Sequence, residues 1–324
     1  MNDDPVSRLI EKLSFRKLEL SLEAVEDLQV PPYKGAMFRG AFGMAFRRSV
    51  CATGLPECHG CQLKNNCIYF SYFETEMPVE GIHFLEGPQK VPHPFVLHPP
   101  ASSAIVFPAG YRFKIGVTLI GNAVVNLPYF VHTFRKLASE GLGKGKRKAE
   151  LLFVEDITSQ ERIEIYNSVE GRIKPGHPAV TVSQLISEIP DHVEMASLDF
   201  LTPLRIQHHG RVLQKKEEID IRKLISLARR RLMALAFLYC DAAPEKEPRP
   251  SGGDIQIVSN TMNFFDWERF SNRHNKKINM GGFLGKLVIE GELNEIAPVL
   301  LAGSYLNIGK NTLFGLGQYT LKFN

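Results

Sequence analysis

The segment Gly309-Lys310-Asn311-Thr312-Leu313-Phe314-Gly315-Leu316-Gly317 sets three glycines beside a lysine and an asparagine. It lies between an apolar helical pattern ending near Ala302 and the alternating run Tyr319 to Phe323. Glycines let backbone come close to a ligand, and with neighbouring cations this is the composition of a phosphate-holding loop. Two familiar phosphate loops do not fit. A Walker loop needs four residues between its first glycine and Gly-Lys-Ser/Thr, and a dinucleotide fingerprint follows a strand and opens a helix. Here the glycines close a helix and enter a strand, and a glycine-rich helix stop is the plainer alternative. An upstream echo favours the ligand-holding reading. Gly141-Leu142-Gly143-Lys144-Gly145-Lys146-Arg147 also follows an apolar helical stretch, Leu127 to Leu137, and precedes strand-like Ala149 to Val154. Lys144, Lys146, Arg147, Arg273, Lys310 and Asn311 are the candidates for holding phosphates without reading sequence.

A second cluster points to metal chemistry. Cys51, Cys58, Cys61 and Cys67 are spaced C-x6-C-x2-C-x5-C in a segment holding Gly54, Pro56, Gly60 and Asn65-Asn66. The two-residue spacing in Cys58-His59-Gly60-Cys61 lets two thiolates reach one metal, and four thiolates suit tetrahedral zinc. An iron-sulfur cluster uses the same ligand set, so zinc and iron-sulfur both stay open. A site filled by four protein ligands leaves no place for a reactive water, which makes it structural. Cys240, inside an apolar run, reads as a small buried hydrophobe.

The elements that must position these residues follow from hydrophobic period. Phe15 to Val25 alternates as a strand, and Phe38, Ala41, Phe42, Ala45 and Phe46 fall at helical spacing within Met37 to Val50. Strand patterns at Phe95 to Leu97, Ile105 to Phe107 and Tyr111 to Ile120, a helix at Leu127 to Ser139 and a strand at Ala149 to Ile157 complete a βαββαβ-like module. Residues 158–198, interrupted by three prolines, read as an edge excursion and linker. A second module takes a strand from Asp199 to Gln207, a helix from Ile219 to Tyr239, a Pro- and Glu-rich loop from Ala242 to Gly253, strands at Ile255 to Phe265 and Gly282 to Gly291, a helix at Glu295 to Ala302, and the closing strand.

Composition sets bounds rather than function. The chain has 324 residues, 44% of them hydrophobic and 23% charged, enough for two domains with their own cores. A net charge of +4 does not by itself demand nucleic acid; local basic clusters such as Arg229-Arg230-Arg231 carry more weight. No run of apolar residues is long enough to span a membrane, and the start Met1-Asn2-Asp3-Asp4 lacks the features of a signal peptide. A cytoplasmic protein with no membrane partner is expected, whose cysteines bind metal or are buried rather than forming disulfides.

These motifs in this order, together with Pro32-Tyr33-Lys34-Gly35-Ala36-Met37-Phe38-Arg39-Gly40-Ala41-Phe42-Gly43, Pro92 to Leu97, Thr202-Pro203-Leu204-Arg205 and Arg269 to Arg273, resemble the repeat-processing endoribonucleases of the RAMP superfamily, which cut CRISPR precursor RNA. The resemblance covers nearly the whole chain. It implies an α+β fold of two tandem ferredoxin-like (RRM-like) domains. The first would be residues 1–165 with the four-cysteine insertion at 51–67, followed by a linker at 166–198. The second would be residues 199–324 with the glycine loop at 309–317.

The resemblance also implies metal-independent cleavage, in which a 2′-hydroxyl attacks the adjacent phosphate to leave a 2′,3′-cyclic phosphate and a 5′-hydroxyl, with no cofactor beyond the structural metal. Many members carry an early histidine as acid or base, whereas this chain has none before His59. At the expected place stand Tyr33, Lys34 and Arg39, able to orient the nucleophile, donate a proton and stabilise the charged phosphate. Arg47 would guide the RNA backbone. His208, His209 or His274 could complete such a site. The expected partner is CRISPR repeat RNA. The alternative reading is a non-catalytic RNA-binding subunit of a CRISPR effector complex, which keeps the loops but not the acid and base.

Overall fold

The computed structural model of the chain describes residues 5–76, 91–143, 145–208, 210–243, 254–271 and 276–324. They divide into two compact units, residues 15–180 and residues 5–14 with 181–324. A short helix, α1 (Pro5–Glu11), precedes the long strand β1 (Ser14–Ala24). Then come α2 (Gly35–Val50), α3 (Ile68–Phe73), β2 (Phe95–His98), β3 (Arg112–Ile120), α4 (Leu127–Glu140), β4 (Ala149–Asp156) and β5 (Ile163–Asn167).

The sheet of the first unit has the order β2-β3-β1-β4-β5, with antiparallel neighbours. Leu18 of β1 lies opposite Val117, and Leu20 opposite Val154. Helix α2 forms because Phe38, Phe42 and Phe46 recur every fourth residue and bury one face. Phe42 meets Phe134 of α4 at a centroid distance of 4.8 Å, Phe130 at 5.3 Å and Phe95 of β2 at 5.6 Å. Such pairs add about 0.5–1.5 kcal/mol each beyond the area they bury. This aromatic core fixes the direction of α2, and with it the turn at residues 31–34.

The other unit contains β6 (Met195–Leu204), α5 (Ile221–Tyr239), β7 (Gln256–Asn260), β8 (Asn263–Phe265), β9 (Gly282–Glu290), α6 (Ala297–Leu306) and β10 (Tyr319–Phe323). Its antiparallel sheet runs β7-β9-β6-β10, with β8 also beside β9. Asp220 starts α5 by accepting from the amides of Arg222 at 2.9 Å and Lys223 at 3.3 Å. The buried Tyr319 hydroxyl donates to the Leu300 carbonyl at 2.5 Å. Gly303 makes room for it, since a Cβ there would stand 2.5 Å from that oxygen.

Several expectations are corrected. Residues 5–14 pack with the later unit rather than with residues 15–165, because Leu9, Ile10 and Leu13 are at most 2% exposed and α1 lies against α5 and α6. The stretch taken as a linker contributes β5 to the first sheet, where Ile165 and Tyr166 are buried, and Val180–Thr181 pairs with β1. Val106–Phe107 pairs with Leu28–Gln29 in a separate ribbon. The strand expected from Asp199 begins at Met195, and the one expected from Ile255 to Phe265 is broken into β7 and β8. The loop expected from Ala242 lies mostly outside the described residues.

Candidate nucleic-acid interface

In the unit of residues 15–180, the expected catalytic residues lie where α2 begins. Tyr33 is half-buried, and burial pushes its phenol above the ordinary value. A phenol shifted in that direction keeps its proton at neutral pH and serves as a donor. Lys34 is 1% exposed. Its Nζ donates to the carbonyl of Pro32 at 3.1 Å and to that of Ser102, and lies 5.5 Å from the centre of the Phe107 ring. The expectation of Lys34 as a cation open to phosphate is therefore corrected: burial lowers its pKa, and its ammonium anchors the turn. Arg39 points elsewhere, with its guanidinium 5.5 Å from the Phe73 ring of α3.

The first glycine segment is an exposed hairpin. Leu142 and Arg147 exchange backbone hydrogen bonds of 2.7 and 3.0 Å, while Gly141, Gly143 and Gly145 adopt φ of +108°, +65° and +82°. A Cβ at Gly143 would stand 2.5 Å from the Gln29 carbonyl oxygen and 3.5 Å from the Met37 sulfur. The hairpin thus rests against the chain on both sides of Tyr33. Lys146 and Arg147 are exposed at its tip, Arg147 lying 3.7 Å from Glu26. Lys144 lies outside the described residues, as do Arg273, His209 and His274.

The second glycine segment behaves differently. Thr312, Leu313, Gly315, Leu316 and Gly317 are buried, and only part of the loop reaches solvent. Its backbone is tied to the end of β6: the Lys310 amide donates to Arg205 at 2.9 Å, the Gly317 amide to Pro203 at 3.0 Å, and the Thr202 hydroxyl to Gly315 at 2.7 Å. The expectation of an open phosphate cradle is corrected accordingly, since several amides that would face phosphate serve the fold instead. What remains at the surface is cationic. Lys310 and Asn311 are half-buried, and desolvation, then the charge of Arg230, lowers the Lys310 pKa. Arg269 stacks 4.8 Å from the Phe314 ring centre, and Asn311 donates to the Met280 sulfur at 3.4 Å.

Two arginines of this region were legible only as a member of a basic cluster, Arg231, and as part of the motif Thr202-Pro203-Leu204-Arg205. Arg231 donates to the carbonyls of Leu306 at 3.0 Å and Asn307 at 3.1 Å, closing the end of α6, and burial lowers its pKa to about 10. Arg205 donates to Asn279 at 3.2 Å and to the Gly281 carbonyl at 2.8 Å. Both arginines are thus engaged with the protein's own carbonyl and amide oxygens, at the β6 end and beside the glycine loop. His208 is exposed in a short ribbon with Arg211.

The cysteines line one cavity together with Arg47, Lys64, Tyr69 and Tyr129. All four thiols are half-buried. Among the described residues, no three His, Cys, Asp or Glu side chains are gathered closely enough to hold a metal. Arg47, expected to guide RNA, is corrected to a structural role: its guanidinium donates to the carbonyls of Leu55 and, at 2.9 Å, Pro56 within the cysteine loop.

Two α/β units, one ending in a basic glycine loop before its last strand, have the fold of Cas6 proteins. A Cas6 product complex, of a Thermus thermophilus protein, superposes with a TM-score of 0.54 at 17% identity, over 95% of this chain and 99% of that one. A chain of a partial Cas6-RT-Cas1–Cas2 complex superposes with a TM-score of 0.52 at 12% identity, over 96% of this chain. The chain spans only 46% of that larger protein. In sequence, residues 13–178 match an N-terminal domain model, AF_1859_N, and residues 198–319 match the model of the CRISPR-associated endoribonuclease Cas6. Residues 198–319 thus carry the sequence of a CRISPR-associated endoribonuclease Cas6 domain, and the Cas6 fold extends over nearly the whole chain. An uncharacterized protein of Archaeoglobus fulgidus is 25% identical over 312 residues, 90% of this chain and 93% of that one. Among the described residues no helix is long and apolar enough to cross a membrane.

Proposed function

We propose that this chain binds CRISPR precursor RNA and cuts it within the repeat without a metal in the reaction. The observation that carries the reading is the basic glycine loop at 309–317, tied to the end of β6 inside the region that matches the endoribonuclease model. In the cleavage, the 2′-oxygen bonds to phosphorus, the bond from phosphorus to the 5′-oxygen breaks, and one proton leaves the 2′-hydroxyl while another reaches the 5′-oxygen. The products are a 2′,3′-cyclic phosphate and a 5′-hydroxyl. Tyr33, protonated at neutral pH, orients the nucleophile or donates to a phosphate oxygen. Lys146, Arg147, Lys310 and Asn311 hold the ribose-phosphate chain, with Lys144 and Arg273 as further basic contacts.

Both units are read as ferredoxin-like domains, in tandem. The support is that each places four strands in the order second, third, first, fourth, with a helix after the first and third strands. The cysteine loop is then an insertion after the first helix of the first domain.

A second reading, an RNA-binding subunit of a CRISPR effector assembly that does not cut, is favoured by one specific observation. Lys34 is enclosed by carbonyls and Tyr33 is shifted away from ionising, so neither is a ready base at neutral pH. Incubation with a repeat RNA in EDTA separates the two. A product ending in a cyclic phosphate is expected; tight binding with intact RNA would establish the subunit reading instead.

A further inference from the structure

We propose that Cys51, Cys58, Cys61 and Cys67 bind a single zinc ion that fastens the loop after α2 to that helix. The loop has no apolar core of its own. Between residues 51 and 67 every side chain is exposed except the four cysteines and Lys64. A segment that buries no apolar side chain has little to offset the entropy of ordering it. In this loop, the groups turned inward are thiols.

The backbone is already wound for a shared ligand. The Cys61 amide donates to the Cys58 carbonyl at 3.1 Å, Lys64 to Cys61 at 3.1 Å, and Cys67 to Lys64 at 3.2 Å. These consecutive turns carry the last three cysteines around one cavity, and Cys51 enters it from the end of α2. The Thr53 hydroxyl lies between two of the sulfurs, 3.8 Å from Cys51 and 3.7 Å from Cys61. Binding displaces that hydroxyl and rotates the four thiols inward to bonds of about 2.3 Å, which a surface loop without a core can accommodate.

Charge also fits. A divalent zinc with four thiolates carries a net charge near −2, and the cavity is lined by two cations, Arg47 and Lys64, against one carboxylate, Glu57. Arg47 spans the loop, holding the carbonyls of Leu55 and Pro56 while its guanidinium lies 5.7 Å from the Tyr69 ring centre. Lys64 lies 5.6 Å from the Phe70 ring centre and pairs with Glu76 at 3.0 Å. Four thiolates leave no coordination place for substrate, so the ion acts on structure and not on RNA chemistry.

The test uses the full chain purified without chelator. Elemental analysis is expected to give about one zinc per chain, released by a thiol-reactive mercurial into a colorimetric zinc indicator. Cys58→Ser should lose most of that zinc, whereas Cys240→Ser, outside the loop, should keep it. Should Cys58→Ser fail to fold, cobalt exchanged into the unaltered protein must give the intense visible bands of a tetrahedral thiolate site. Zinc well below one equivalent with no cobalt bands overturns the proposal. So do iron and sulfide in its place, or two disulfides found by mass spectrometry of alkylated protein. None of these readouts involves RNA, so failure here is distinct from failure of the cleavage reading.

Discussion

The two glycine segments look alike in sequence and do opposite things in the fold. In the first segment Lys146 and Arg147 are exposed to water, whereas residues 309–317 are pressed onto the end of β6, with Gly315, Leu316 and Gly317 buried. At Gly145 the nearest atom to an added Cβ is Arg147 Nε at 3.6 Å; at Gly317 it is the Ile308 carbonyl oxygen at 1.8 Å. Both glycines have positive φ, so conformational preference is common to the two. What differs is how close other backbone comes. Glycine in such loops reports either exposure or intimacy, and only the neighbours say which.

The sharpest way to break this comparison is alanine at each site. Gly317→Ala is expected to destabilise by roughly 3 kcal/mol or more, since strain at positive φ is joined by a backbone clash. Gly145→Ala should lose only about 1–2 kcal/mol, the left-handed backbone alone. Urea denaturation measures both, and equal losses would erase the distinction. Thr202→Val comes next. Its hydroxyl donates to the Gly315 carbonyl at 2.7 Å and accepts from the Gln318 amide at 2.8 Å. Losing both ties should cost about 1–3 kcal/mol, with no counterpart in the first segment.

The double change Lys146→Ala with Arg147→Ala should leave the urea midpoint nearly unchanged while weakening RNA binding about tenfold and lowering the salt slope by about 2. Filter binding across a salt series checks it, and an unchanged slope would place RNA elsewhere. The smallest effect concerns Lys310. Its folded pKa is lowered, so the folded state resists protonation and loses stability below that pKa. That loss is relieved as pH rises towards the ordinary 10.5. Lys310→Met should therefore flatten a slight alkaline gain in stability, seen as a smaller rise in melting temperature between neutral pH and pH 10.

The regular elements were legible where period and length agreed. Phe38, Phe42 and Phe46 declared α2, and Tyr319 to Phe323 is the closing strand with the expected bounds. What was missed depended on partners distant in sequence. Ile163–Asn167 sits in a stretch that reads as polar and proline-broken, and its short alternation of Ile163 and Ile165 becomes a strand because β4 offers an edge. Lys34 reads as a surface cation until Pro32, Ser102 and Phe107 close over it, and no local pattern carries that fact. Arg47 likewise reads as a backbone guide until the loop carbonyls of Leu55 and Pro56 come within its reach. The basic clusters did not say which arginines cap helices and which face solvent.

Helix α1 is made before the helices it packs against and is used late. Its neighbours α5 and α6 end near residues 239 and 306, so a growing chain must carry Leu9 and Ile10 uncovered while the whole of residues 15–180 is synthesised and can fold. At ordinary rates of translation the stretch from α1 to the end of α6 takes roughly 15–60 s. A greasy helix left waiting that long is an opening for chaperones, and for misassembly between nascent chains on one messenger.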